Sequence, residues 1–419
     1  MRACLPPLVL LLSVASPAFA QTQYYVAATG GSDANSGTSA ASPWATCSHA
    51  IAAFNPAGGA VINFIASSTA HAGCSNINRG GASTDARLVL RCTASVTAAT
   101  HCKMAGHFFL TSASNVDIGA LPQMGFEYTD PDDDFAVDVV WQGGSGTTST
   151  SGNSIHVIGN YFHDVGQNVS GGCPQAGMVN IPNAHGKTVS DAQVIGNVID
   201  HYGVYPNTTC NVAQGIYILT ANGQVYDNIV TRIATAGLQY YDQACNARIS
   251  NNVFANNRNG MVLYGGNGCA PVGRNTVSNN VIVDNSVAFN DSYAGDQGCS
   301  TGNQTLYTNN IVFGNGSTFT SPPAACTTVQ DQKSESPSTT FVNYTGTAAG
   351  DYHIRAGSLA IGGGSKACVT GGPSPCTPGF DLMNAPRSAS TPTIGAYEFG
   401  SAVAAGAPGA PVALTATVR

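Results

Sequence analysis

Hydrophobic and polar positions recur through the middle of the chain. Six segments align on one asparagine: Val157-Ile158-Gly159-Asn160, Val194-Ile195-Gly196-Asn197, Val225-Tyr226-Asp227-Asn228, Ile249-Ser250-Asn251-Asn252, Val277-Ser278-Asn279-Asn280 and Tyr307-Thr308-Asn309-Asn310. Two apolar residues follow each, such as Val198-Ile199 or Ile311-Val312. The asparagines lie 37, 31, 24, 28 and 30 residues apart. A second pattern interleaves with the first: Gly177-Met178-Val179-Asn180, Gly215-Ile216-Tyr217-Ile218, Gly237-Leu238-Gln239-Tyr240, Gly260-Met261-Val262-Leu263 and Ser286-Val287-Ala288-Phe289. Each period therefore holds at least two short strands and their turns, and its Asn, Gly and Thr content opposes helices. One coil of short strands per period predicts an all-β parallel β-helix, a solenoid. Leucine-rich repeats and propellers fit less well, since neither a leucine period nor a four-strand blade is present. Alternation along the strands predicts a core of Ile216, Ile218, Leu238, Met261, Leu263, Val287 and Phe289. Stacked asparagines at one turn are expected to hydrogen-bond as a ladder.

Composition sharpens this picture. Of 419 residues only 9% are charged, against about 25% in ordinary domains. Three Glu and four Lys leave little to build surface helices. The net charge of −7 gives no basis for broad binding to nucleic acid, and a polyanionic substrate would require a local basic groove. Met1–Ala20 reads as a signal peptide, with Arg2, the apolar run Leu8–Val14 and the small-x-small site Ala18-Phe19-Ala20. The expectation is a secreted protein with no membrane span. Residues 21–399 read as one solenoid domain and 400–419 as a flexible tail. Twelve cysteines follow the signal, an even number in an exported chain, and no Cys-x-x-Cys pair suggests a metal. Cys92 and Cys102, like Cys368 and Cys376, read as local staples. Their nearly equal offsets from Gly177 and Gly215 predict a bridge between Cys173 and Cys210. By the same logic Cys245 pairs with Cys269, and Cys299 with Cys326.

In these repeats the chain resembles the secreted right-handed parallel β-helix proteins of the pectate-lyase-like superfamily. Both ends share the resemblance. Tyr24-Tyr25-Val26, Gly30, Asp33, Gly37-Thr38 and Pro43-Trp44 resemble the entry segment of such proteins, where a short helix, here about Trp44–Phe54, caps the first coil. Asp351-Tyr352-His353-Ile354, Asp381, Pro386-Arg387 and Ile394-Gly395-Ala396-Tyr397-Glu398 resemble their closing coils. The resemblance implies the fold. It leaves activity open, because the superfamily holds lyases, hydrolases, epimerases and non-enzymes.

Four groups of residues are candidates for chemistry. Four positions beyond the aligned asparagines stand Asp164, His201, Arg232, Asn256 and Asp284, and three positions beyond the first two stand His163 and Asp200. Coils stacked about 4.8 Å apart bring these together, supplying a general base and charge stabilisers. The plain alternative is a column of turn residues, which suits Asn256 and Asp284 best. Alternation points Tyr217, Tyr241 and Tyr264 outward with Gln239 beside them, a face for sugar rings. His185 and Lys187 lie in a loop just past a core strand. β-Elimination beside a carboxylate needs a base and positive charge, tasks that Lys187, His201 and Arg232 would share. Finally, Asp130, Asp132, Asp133 and Asp134 suit calcium, although a solvated acidic loop has the same composition.

The leading expectation is an exported lyase of acidic, uronate-containing polysaccharide, with Lys187, His201, Arg232, Asp200 and His163 as its catalytic candidates. A glycoside hydrolase is the second reading. Its acid pair would come from aspartates such as Asp200, Asp227 or Asp242, because only Glu127, Glu335 and Glu398 are available as glutamates. A non-catalytic glycan-binding β-helix is the third.

Overall fold

The computed structural model describes residues 21–111, 113–139, 153–181, 191–206, 209–241, 246–263, 275–291, 305–320, 327–368 and 375–400. Short strands stack into three sheets, every one of them parallel throughout. The first sheet runs through eleven strands, from Thr22–Val26 to Thr327–Gln330. The second runs through eight, from Lys103–Met104 to Ile311–Phe313, and the third through nine, from Cys74–Ile77 to Ser317–Phe319. Each coil visits the three in turn, forming a right-handed parallel β-helix.

The asparagine ladder forms as the repeat predicts. The backbone N–H of Asn160 donates to Asn197 Oδ1 at 3.0 Å, and the same bond links Asn197, Asn228, Asn252, Asn280 and Asn310 in turn. The residue before each ladder asparagine has positive φ: Gly159 and Gly196, then Asp227, Asn251, Asn279 and Asn309. A left-handed residue turns the chain sharply, and Gly, Asn and Asp take that region most readily. A second ladder, not anticipated from sequence, marks the corner between the second and third sheets. There Asn257 N donates to Asn285 Oδ1 and Asn285 N to Asn315 Oδ1, both at 2.9 Å.

The predicted core holds at Ile216, Ile218, Leu238, Met261, Leu263 and Phe289, all buried. Val287 is the exception. Met261 pairs with Phe289 and Asn259 with Val287, so Gly260 is matched by Ala288 and not by Ser286. Val287 is accordingly half-buried and Ala288 takes the interior. A one-residue shift also occurs lower down, where Gly177 pairs with Gln214 and Val179 with Ile216. With that register Cys173 and Cys210 each precede paired residues by four, and they are bridged at a Cα separation of 5.3 Å. The staples Cys92–Cys102 and Cys368–Cys376 also form. Cys245, Cys269, Cys299 and Cys326 lie outside the described residues.

At the N-terminal end the capping helix spans Cys47–Ala53. Thr46 caps it by accepting from His49 N, and Asp33 accepts from the backbone of Ala45 and Thr46. Cys47–Cys74, a bridge the repeat does not foretell, ties the helix to the third sheet. The C-terminal segment departs from the expectation of closing coils. Its described residues from Glu335 to Cys368 and from Pro375 to Phe399 fold back along the outside of the second sheet as a strap. Phe341, Tyr352, Ile354, Leu382, Ile394 and Ala396 form a second apolar core there against Val198, Ile229, Val253, Val281 and Ile311. Those strand residues point away from the first core and would otherwise leave an apolar sheet face in water. Polar contacts fix the strap along the first corner. Arg387 pairs with buried Asp227, Asn251 Nδ2 donates to Thr393 O at 2.8 Å, Asn279 Nδ2 to Ser365 O at 2.7 Å, and Asn309 Nδ2 to Gly363 O at 3.0 Å.

Candidate functional site

Toward its N-terminal coils the outer face of the second sheet becomes polar. Tyr161 pairs with Glu127, and His163 pairs with Asp200 one coil up. One position further along lie Asp164, His201 and Arg232, all left-handed with φ of 50°, 57° and 54°. In that conformation the local strand alternation breaks and two neighbouring side chains face outward together. His163 and Asp164 do so on one coil, Asp200 and His201 on the next.

The result is a relay of imidazoles and carboxylates. Asp164 accepts from His163 Nδ1 at 2.7 Å through one oxygen and from His201 Nδ1 at 2.5 Å through the other. Glu127 Oε1 stands 3.5 Å from His163 Nε2. Its own partners are Lys103 Nζ at 3.1 Å and His101 Nε2. His101 Nδ1 faces the carbonyl of Ala98 at 2.7 Å. A carbonyl only accepts, and so does a carboxylate, so both nitrogens of His101 carry protons. The Glu127 bond raises the affinity of His101 for its proton, against the opposing effect of burial. Burial likewise disfavours the His163 imidazolium, but Asp164 and Glu127 outweigh it and push the group up to about 9. Glu127 and Asp164 are held well below the usual carboxylate range: burial would raise both, and the surrounding cations reverse it. His101, Lys103 and His163 thus face two carboxylates, and the strip carries excess positive charge.

Arg232 sits one coil above His201. Its guanidinium clasps Asp200 with Nε at 2.8 Å and Nη2 at 2.6 Å. Asp200 is almost wholly buried and also accepts from Thr231 Oγ1 at 2.7 Å and from Ala348 N of the strap at 3.2 Å. A carboxylate so engaged has no capacity left to act as a base, and it orients Arg232. Asn256, next in the column, is structural: Tyr205 donates to its Oδ1 at 2.8 Å, and its Nδ2 donates to Gly346 O of the strap at 3.2 Å.

The other candidates fall elsewhere. Tyr217 and Gln239 pair directly on the outer face of the third sheet. Tyr241 is two residues further along, so its ring lies 6.5 Å from that of Tyr217 by a diagonal contact instead of the expected column. Tyr240, between them, is core. Tyr264, His185, Lys187 and Asp242 lie outside the described residues. Asp227 cannot belong to a hydrolytic acid pair, because it is buried against Arg387 beneath the strap. In the acidic run Asp130, Asp132, Asp133 and Asp134, three of the carboxylates have partners within the protein. Asp133 is committed to His107 at 2.6 Å and Tyr128 at 2.5 Å. Asp130 caps the N–H of Asp132, and Asp134 accepts from Gln175 N. Among the described residues no three His, Cys, Asp or Glu side chains are grouped to hold a metal ion.

Sequence reasoning missed Glu127, His101 and Lys103. Their coils carry Phe126 and Cys102 where later coils carry the ladder asparagine, so the repeat that indexed the other candidates is silent there. The surviving signal is hydrogen bonding alone: Phe126 N donates to Asn160 Oδ1 as a ladder residue would. A third polar cluster, on the first sheet, was also missed. His156 lies between Asp117 at 2.8 Å and Asp191 at 3.1 Å, with Arg87 on Asp117 at 2.7 Å.

No family model matches the chain, and no curated protein matches it. Among solved structures it is similar to pectate lyase Pel9A, at 16% identity with a TM-score of 0.51, covering 90% of this chain and 97% of that one. It is also similar to XylC in complex with xylose, at 10% identity and a TM-score of 0.43, covering 75% and 76%. A rhamnogalacturonan lyase matches at 11% identity and a TM-score of 0.32, covering 70% and 69%. The likeness to pectate lyase Pel9A shows the pectate-lyase-like β-helix fold and carries no activity with it.

Proposed function

We propose that the chain is an exported polysaccharide-active enzyme, a lyase that cleaves uronate-containing polysaccharide by β-elimination. The observation that carries this reading is the excess-cation strip with His201 and His163 sharing Asp164. A uronate carboxylate is attracted to the strip, where His163 and Arg232 offset the charge that develops on it as an enolate forms. Asp164 accepts from His201 Nδ1 and so fixes Nε2 as the nitrogen with the lone pair. His201 Nε2 then takes the proton from the carbon beside the carboxylate. The electron pair left behind forms the carbon–carbon double bond, the glycosidic C–O bond at the β carbon breaks, and the departing oxygen takes a proton from solvent. Asp200 serves by holding Arg232. Tyr217, Gln239 and Tyr241 offer a second face for sugar rings, and Lys187 and His185 belong to the same proposal from sequence. Incubation with a panel of acidic and neutral polysaccharides tests it. Ultraviolet-absorbing unsaturated products from a uronate polymer are expected. New reducing ends without that absorbance would replace the lyase with a hydrolase, and binding without products would leave a glycan-binding protein.

A further inference from the structure

Glu127 has no task in the reaction as drawn, yet its setting is specific. Its side chain is 5% exposed on the outer face of the sheet, in a chain with only three glutamates. A carboxylate is buried at a cost of several kcal/mol unless cations meet it, and here His101 and Lys103 do so directly. Its Oε1 also stands 3.5 Å from His163 Nε2, which is buried and has no hydrogen-bond partner among the described residues. That distance is too long for a good hydrogen bond, so the coupling between Glu127 and His163 is chiefly electrostatic. The remaining groups around His163 are few. Asp164 takes Nδ1, the Tyr161 ring stacks at 4.2 Å, His201 lies across Asp164, and the Arg232–Asp200 pair occupies the next coil.

We propose that Glu127 is a positioning residue: it keeps His163 an imidazolium, and that cation faces Asp164, the carboxylate that orients His201. Glu127 is the second anion beside His163, on the side away from Asp164. Remove the Glu127 charge and burial drives His163 toward its neutral form. His163 should therefore release its proton at lower pH. A residue that merely packs the strip would leave it unmoved.

This inference rests on the lyase reading for its catalytic meaning but not for its proton arrangement, so its test has two arms. The first is NMR titration of the histidine rings in the full chain, assigned with His163→Asn and His201→Asn. In Glu127→Gln the His163 midpoint should fall from about 9 by about one pH unit or more. Glu127→Asp, which keeps the charge, should restore most of that shift. Lys103→Met keeps Glu127 and removes a competing cation at a partly exposed position. It should raise the His163 midpoint, and it serves if Glu127→Gln does not fold. Unchanged His163 in Glu127→Gln or in Lys103→Met overturns the proposal. The second arm is the pH profile of kcat/KM on whichever uronate polymer is cleaved. In Glu127→Gln its falling limb should move to lower pH as His163 loses its charge, and an unmoved limb counts against the proposal. Absence of any cleaved polymer would sink the lyase reading while leaving the first arm to decide the role of Glu127.

Discussion

Asp164, His201, Arg232, Asn256 and Asp284 occupy one left-handed turn position on five successive coils, with φ between 50° and 57°. Aspartate and asparagine enter that region readily, because their short side chains bond locally. Arginine gains nothing local there, and its φ of 54° is sustained by the clasp on Asp200. Such an outlier among turn residues points to a use beyond the turn. The same comparison gives a clean test at His201, which is a quarter exposed. His201→Asn puts the favoured residue in the column and keeps a donor for Asp164. Its stability should stay within about 0.5 kcal/mol of the parent, read from denaturant melts, while turnover of a uronate polymer drops by about 10²–10⁴-fold. Full turnover in this variant would remove His201 from the proposed mechanism. In the interior, Leu263 is 3% exposed and packs in the main core. Leu263→Ala should cost about 2–5 kcal/mol, checked by the same melts.

At the level of strands and corners, much was legible because each signal has a local cause. An asparagine is wanted at each ladder position to satisfy backbone groups on two coils, so it marks the corner in the sequence. The Gly-containing strands were found but placed one residue out at Gly215 and two out at Ser286. A small residue there fits tight packing equally well in either register, whereas Met261 over Phe289 settles it. The strap was illegible for a different reason. Its partners are remote: Arg387 and Asp227 are 160 residues apart, and no periodicity connects them. The same holds for Glu127, whose coil lacks the marker asparagine. The strap also carries a prediction. Arg387→Ala removes the cation that opposes burial at Asp227, whose carboxyl is already pushed up to about 7 and then protonates. The cost is the lost pair and its hydrogen bonds, about 1–3 kcal/mol. Limited proteolysis should then cut within residues 335–399 while the coils remain intact. An uncut strap would mean that its apolar face alone holds it.

Across the whole molecule, charge linkage sets a pH window. Burial disfavours the protonated forms of His156 and His163, but their carboxylate partners outweigh it and raise both. Each therefore stabilises the fold fully below the unfolded value of about 6.5 and loses that contribution as pH rises through the folded one. Glu127, Asp164 and Asp191 are depressed by their cations against the opposing effect of burial. They stabilise above an unfolded value of about 4 and lose the contribution as pH falls through their folded values. These pairs favour the fold between about pH 4.5 and 6.5. Asp227, which burial pushes up to about 7 against the opposing effect of Arg387, loses stability as pH rises through that range and draws the maximum toward its acid end. Melting temperatures across a buffer series check this. A melting temperature still climbing from neutral to alkaline pH would contradict these pairings. The strap's contacts have a consequence of another kind. Asp227, Asn251, Asn279 and Asn309 stand on four consecutive rungs and meet Arg387, Thr393, Ser365 and Gly363 in turn. The strap thus works as a gauge cut to one length. A coil duplicated or deleted between Asp227 and Asn309 would set the marks on the gauge one rung out of step with the stack. A coil added below Asn197 would leave every mark aligned. Repeat number should accordingly be free to drift, or to be engineered, at the N-terminal end of this solenoid and be frozen under the strap.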